Sequence, residues 1–371
     1  MARNTWLQFR AAGFAVVVLT LLSVAAARGQ SQAVQAQGGQ SQNCVPLSGQ
    51  KLILYRAGSL SRAFKPLEAA FTCQTGIEVK DNAMGSVDAG RQITAGGQAC
   101  DLYAPADYSD IDLFMKPAGY ATFNIVFAQG RMVLAYSASA VAEKKLPPIA
   151  EAGSVAFNPP NSIPKASAQW YQILTMPGVA IGGGNPFLDP GAYRAYMIFQ
   201  LAEDYYKVAN LSNNLMEHIV IPGADHSVPA VPGLGKRFDF QLIYEHSAQA
   251  MASANPDFRY VDLPDEINLS DPAKNSYYGK HAVVVLPGLG TPRSAQTVAV
   301  PATRVAWGIT ILNDAPNREN AVKFLQLLLG PTGTALLKEN GPAPVEPAFV
   351  SPADYRKLPA ALRSLVTRLG K

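Results

Sequence analysis

The sequence predicts an α/β protein of two lobes, each a largely parallel sheet flanked by helices, with the second lobe inserted into the first. Three observations predict it. The chain has 371 residues, enough for two ordinary domains. Apolar residues make up 48% and charged residues 16%, which supports a sizeable core and excludes a disordered chain. β-rich runs alternate with helical stretches across short Gly, Ser and Pro breaks, the pattern of a sheet covered by helices on both faces.

Residues 51–56 (KLILYR) are the first expected strand, broken at Ala57-Gly58, and residues 60–71 the first helix. A strand at 76–80 (GIEVK) leads through Gly85-Ser86 to a helix over 87–95, and a strand at 101–104 ends before Pro105. Residues 133–136 (VLAY) form another strand. An irregular stretch through Pro147, Pro148, Pro159, Pro160 and Pro164 then changes the character of the chain. A strand-like run at 179–181, a Gly-rich turn at 182–186 and a long helix opened by Asp189-Pro190 follow, with apolar residues recurring through Met197, Leu201 and Tyr205. Further strands are expected at 240–244 (FQLIY), 283–286, 298–300 and 305–312 (VAWGITIL). Residues 317–329 make an amphipathic helix, 331–340 continue helical, and the end reads as a short polar helical tail. The predicted first lobe is residues 44–136 and 305–371, and the second 137–304. Crossings near Tyr136 and Val305 form a hinge beside an interlobe cleft.

The formal charge of +4 includes Arg3, Arg10 and Arg28, so the chain without residues 1–30 is nearly neutral. That balance leaves no electrostatic footprint for nucleic acid or an anionic membrane surface. A bound anion must therefore be held by local geometry. Residues 1–30 read as a secretory signal peptide, with a positive start, an apolar core at 11–27 and small residues at the expected cut. The core is short for an uncleaved bilayer anchor. Residues 31–43, rich in Gln, Ser and Gly, are the expected flexible leader, and the expected location is the periplasm. Export predicts one disulfide and one spare thiol among Cys44, Cys73 and Cys100, with the pairing open. Neither a C-x-x-C spacing nor a His pair indicates zinc.

In such sheets ligands bind beyond the carboxyl ends of the strands. Gly58-Ser59 and Gly85-Ser86 both fall there, at helix starts. First-turn N–H groups and a serine hydroxyl make an anion site without a lysine; a serine at either place is equally a plain helix cap. Asp189, with Pro190 at the first helical position, reads as the cap of the long helix. Arg194 then lies one turn in, where it can pair with a carboxylate or an anion. Glu245 directly follows the strand at 240–244 and alone reads as an ordinary exposed acid.

The segments AGSLS, GSV, ADYSDI, FNIVFAQGRMVLAYS, WYQILTMPGVAIGGGNPFLDPGAYR, LPDEINLSDP and GITILNDAPNRENAVKFLQLLLGPTG occur in that order over residues 52–340. Together they resemble the molybdate/tungstate-binding proteins of ABC importers, in the tungstate-type branch. The resemblance implies a type II periplasmic-binding-protein fold, two Rossmann-like lobes holding one tetraoxoanion. It also implies the importer's membrane permease as partner and no catalysis; the protein is expected to be a monomer that binds no nucleic acid. It assigns the family's serines to Ser59, beside Gly58, and to Ser86. Its aspartate falls on Asp189, with Leu188 before it lining the site, and its glutamate on Glu245. Ala192 stands where the family has glycine and His246 where it has tyrosine; the Glu245 alignment needs a small shift.

The implied chemistry is that Asp189 and Glu245 act as direct ligands, adding two oxygens to the four oxo groups of Mo(VI) or W(VI), large hard centres suited to oxygen donors. The metalate is the ligand, and no resident cofactor is expected. A carboxylate beside a dianion repels it unless protonated or bonded to the metal. Sulfate does not expand its shell comfortably and is rejected by the acids. An alternative is a ferric-ion-binding periplasmic protein using Tyr277 and Tyr278; another is a non-transport sensor with the same fold. A hydrolase using Ser59 lacks a G-x-S-x-G elbow and a histidine that can be placed beside it. His218, His226, His246 and His281 show no metal-like spacing, residues 222–235 read as a surface loop, and Trp170 and Trp307 read as core.

Overall fold

β1 (Lys51–Ala57) buries Leu52 and Leu54 and passes through a 3-10 turn (Gly58–Leu60) into α1 (Ser61–Thr75). The helix stops where Gly76 takes φ 70°, a left-handed conformation that glycine adopts without Cβ strain. β2 (Glu78–Met84), α2 (Ser86–Thr94) and β3 (Leu102–Ala104) follow, and β2 and β3 flank β1 as parallel neighbours. The computed structural model from which this architecture is taken describes residues 44–152, 163–221, 234–291 and 296–369. The expected signal peptide and leader, together with Asp225 and His226, lie outside those residues.

β4 (Ile125–Gln129) and β5 (Met132–Ser137) are separated only by Gly130 and Arg131, yet they join different sheets. The crossing expected near Tyr136 therefore lies at Gly130-Arg131, and residues 133–136 belong to the second sheet rather than to the first. The turn is tight because Gly130 rests on an indole: a Cβ there would come within 3.2 Å of Trp307. The second half continues with α3 (Ala138–Glu143), α4 (Trp170–Leu174), β6 (Ile181–Gly182), α5 (Pro190–Tyr206), α6 (Leu211–Glu217) and β7 (Ile219–Val220). β8 (Phe240–Tyr244), α7 (Glu245–Ala254) and β9 (Phe258–Asp262) complete it. Its five-stranded sheet has the order β7-β6-β8-β5-β9.

α8 (Asn275–His281) leads into a separate two-stranded ribbon of β10 (Val283–Pro287) and β11 (Thr297–Pro301). β12 (Ala306–Ile311), buried throughout, returns the chain to the first sheet and is followed by α9 (Arg318–Leu329) and α10 (Pro331–Asn340). The expected polar helical tail is instead β13 (Ala343–Val350), α11 (Pro352–Tyr355) and β14 (Val366–Arg368). These complete a seven-stranded sheet of order β14-β13-β4-β12-β3-β1-β2. Pro344 and Pro347 argue against a strand in the sequence; a register shift against β4 between Pro344 and Phe349 accommodates them.

Both sheets are mixed rather than parallel. β12 runs antiparallel to β3 and β4, and β5 antiparallel to β8 and β9. Strands that carry the chain from one half to the other enter against the direction of their neighbours, which a purely parallel sheet does not permit. Cys44 and Cys73 form a disulfide, and Cys100 is a buried free thiol, as export predicts. Among the described residues no helix is long and apolar enough to cross a membrane.

Candidate anion site between the sheets

At the end of β1, neither glycine approach nor helix capping explains Gly58-Ser59. A Cβ at Gly58 would meet nothing within 4 Å. Ser61, not Ser59, bonds locally, donating from Oγ to the Gly58 carbonyl at 2.7 Å. The Ser59 hydroxyl turns across the molecule and accepts from Trp307 Nε1 at 3.0 Å. Its carbonyl lies 3.0 Å from His246 Nε2. A carbonyl only accepts, so that ring nitrogen carries the hydrogen.

The second serine follows the same rule. Ser86 Oγ does not cap α2 but accepts from the Ala106 amide at 2.9 Å, while Tyr103 donates to the Ser86 carbonyl at 2.8 Å. Ser86 is fully buried. The α2 amides expected to meet an anion have a partner of their own chain: Val87 and Asp88 donate to the Leu188 carbonyl at 3.1 and 3.3 Å. The close backbone approach expected of these glycines belongs to Gly85, where a Cβ would sit 2.5 Å from the Leu188 oxygen. Leu188 thus reaches the site through its carbonyl. Arg91, one turn further along α2, donates to the carbonyls of Phe187 at 2.7 Å, Pro287 at 3.0 Å and Gly288 at 3.3 Å.

Asp189 caps α5 as the sequence predicts, its Oδ2 accepting from the Ala192 amide at 3.3 Å. Its Cβ would lie 3.4 Å from a Cβ built on Gly85, which puts it against the start of α2. Burial pushes its carboxyl up to about 6, against the opposing pull of the Ala192 amide and the Arg194 charge. The other first-turn side chains of α5 grip the loop after β3. Tyr193 donates to Asp107 at 2.8 Å, and Arg194 to the Ala106 carbonyl at 2.8 Å and the Tyr244 hydroxyl at 2.9 Å. Arg194 also pairs with Asp107 at 3.2 Å. Of the two roles open to Arg194, carboxylate pairing is the one realised. Burial, then the neighbouring Asp107 charge, raises the Asp110 carboxyl well above the usual range.

Glu245 opens α7, but its carboxylate turns to Arg131, with Nε to Oε2 at 3.1 Å, and accepts from Gln249 at 3.3 Å. Among the described residues no hydrogen bond or ion pair joins it to Ser59, Ser86 or Asp189. Its neighbour His246 takes the facing position. The imidazole stacks on Tyr244 at 5.9 Å and meets Trp307 edge-on at 5.3 Å, and Tyr244 itself lies 4.9 Å from Trp307. Burial, helped by the Arg62 charge, depresses the imidazole to about 4, so it is neutral at pH 7.

The structure therefore brings Ser59, Ser86, Leu188 and Asp189 to one junction between the sheets, and adds Trp307, Tyr244 and His246. Trp307 read as core because its strand is nearly all apolar; His246 was visible as the residue standing in the family's tyrosine position. Tyr277 and Tyr278 each spend their hydroxyl on a partner within the chain. Tyr277 donates to Asp204 at 3.2 Å and Tyr278 to the Asp265 carbonyl at 2.5 Å, and burial pushes both hydroxyls up to about 12. Among the described residues no group of three or more His, Cys, Asp or Glu side chains is placed to hold a metal ion. A cavity of about 1140 Å³ lined by Arg62, Lys236, Met251 and Phe258, and a polar one of about 740 Å³ beside Asp204, lie apart from this junction.

Comparison with known proteins matches residues 52–342 to the family described as bacterial extracellular solute-binding protein. A molybdate/tungstate-binding protein of Pyrococcus abyssi is 32% identical over 345 residues, covering 85% of this chain and 90% of its own. One from Thermococcus kodakarensis is 30% identical over 346 residues, covering 85% and 87%. In structure, the periplasmic molybdate-binding protein of Azotobacter vinelandii aligns with a TM-score of 0.50 at 17% identity, over 79% of this chain and 98% of its own. That likeness is one of fold, and it bears out the two-lobed type II architecture expected from the sequence.

Proposed function

The chain belongs to the bacterial extracellular solute-binding proteins, and on that premise we propose that it captures molybdate or tungstate between its lobes and delivers it to the permease of an ABC importer. The observation that carries this reading is the junction itself: two serine hydroxyls whose acceptor sides are engaged by N–H donors, with the capping carboxylate of Asp189 brought against Gly85 from the opposite half. Arg194 and Arg131 are both paired with acids, so the site is not a simple cationic trap. A dianion held beside Asp189 must either find that acid protonated or take its oxygen into the metal's shell. Only the second option discriminates a metalate from sulfate.

In this reading the serine O–H groups donate to oxo groups while Asp189 supplies a fifth oxygen to Mo(VI) or W(VI). Glu245 supplies the sixth after leaving Arg131, a part-exposed pair whose loss costs about 1 kcal/mol or less. Residues 1–30 direct the protein to the periplasm, where it acts as a monomer. The test is calorimetry with tungstate, molybdate and sulfate on the protein lacking residues 1–30. Tight binding of both metalates with weak or absent sulfate binding is expected; equal affinity for sulfate would overturn carboxylate coordination.

A further inference from the structure

We infer that Trp307 is a positioning residue for anion capture: its indole N–H fixes the Ser59 hydroxyl as a hydrogen-bond donor directed into the site. The inference rests on the site reading above and concerns a residue that the sequence assigns to the core. Trp307 is fully buried on β12, the strand that returns the chain to the first sheet, and its Nε1 lies 3.0 Å from Ser59 Oγ. An indole N–H can only donate. Ser59 must therefore accept from it, and the single hydroxyl proton points away from the ring. A hydroxyl that accepts one hydrogen bond is also polarised into a stronger donor for the next.

Three further observations make this an orienting device rather than an incidental contact. Ser59 is held at its other end, its carbonyl accepting from His246 Nε2 at 3.0 Å, so its backbone keeps its place beside the indole. The Trp307 ring is itself wedged between Gly130, at 3.2 Å from a built Cβ, and the Tyr244 and His246 rings of the opposite half. Ser86 receives the same treatment from a backbone amide, that of Ala106. Among the described residues no amide does this for Ser59, and the indole stands in its place.

The test is a double-mutant cycle on tungstate affinity, measured by calorimetry on the full mature chain. Ser59→Ala and Trp307→Phe are each expected to weaken binding about tenfold, the loss of one hydrogen bond to a charged ligand, and the double variant about as much as either alone. Replacing Trp307 by β-(3-benzothienyl)alanine keeps the ring shape and removes only the N–H. It carries the test should Trp307→Phe not fold, and is expected to reproduce the loss in the Ser59 protein and none in the Ser59→Ala protein. If the Trp307 changes weaken binding equally in both backgrounds, the indole acts through packing and this inference falls while the site reading stands. Unchanged affinity on Ser59→Ala alone would remove both.

Discussion

Asp189 sits where two demands conflict: burial favours its neutral form, and metal coordination requires the ionised one. Its carboxyl is raised to about 6 from 3.8. If it donates an oxygen to the metal centre, the proton must leave first. Tungstate affinity is then constant above pH 7 and falls about tenfold per unit below 6. Were the acid merely a protonated neighbour of the anion, affinity would rise over the same range, so calorimetry at pH 7.5, 6.0 and 5.0 distinguishes the two by sign. Asp189→Asn, which cannot coordinate as an anion, is expected to abolish the pH dependence and weaken binding at least a hundredfold.

His246 links pH to stability rather than to affinity. Its folded value of about 4 lies below the ordinary 6.5. Between those values the unfolded chain binds a proton that the folded chain refuses, so acidification from pH 6.5 to 4 destabilises the fold. His246→Gln, which keeps a donor toward the Ser59 carbonyl, is expected to remove on the order of 2 kcal/mol of that loss, read by urea unfolding at pH 7 and pH 4.5. The residue scale is also where sequence reading gave least. Ser59 and Ser86 were legible as strand-end serines, but their partners Trp307 and Ala106 are far from Ser59 and Ser86 in the chain and carry no local signal. Glu245 and His246 are adjacent; the resemblance put Glu245 at the site, whereas the structure turns Glu245 to Arg131 and His246 to Ser59 and Trp307.

Among the elements, α2 makes a run of hydrogen bonds across the junction. Its first amides hold the Leu188 carbonyl, Arg91 holds three more carbonyls, and Leu289 packs on Gly90. Arg91→Ala is expected to speed tungstate release about tenfold in stopped-flow displacement while association changes little, because the lost bonds form only after the halves meet. Gly85→Ala places a methyl 2.5 Å from the Leu188 oxygen and is expected to disfavour the closed arrangement by about 1–3 kcal/mol. Elements with a clear local signal were legible: β8 and α10 have the bounds their patterns suggest, because FQLIY is a short β-prone run and α10 starts at a proline. β13 was not, since two prolines argue against it and only pairing with β4 overrides them.

At the scale of the molecule, the two-lobed plan was legible because strand–helix alternation is a local pattern, whereas strand direction and the place of the first crossing depend on partners distant in sequence. Gly130-Arg131 looks like an ordinary hairpin turn, and only the separate pairing of β4 and β5 turns it into a passage between sheets. The disulfide acts at this scale too. Cys44 and Cys73 are separated by 29 residues, and the link ties the entry of the described chain to α1. Replacing Cys73 by Ser is expected to lower unfolding free energy by about 3 kcal/mol through the larger unfolded ensemble, without altering tungstate affinity. Urea titration and calorimetry on the same sample check both halves of that statement.

The bonds Arg91 makes across the junction end on main-chain oxygens, those of Phe187, Pro287 and Gly288. Every amino acid supplies that oxygen, so the side chains at these three positions are free to drift, provided the backbone keeps its path. The fastening is thus written asymmetrically in the genes of any lineage that retains it: one side needs a guanidinium, and the other needs only a shape.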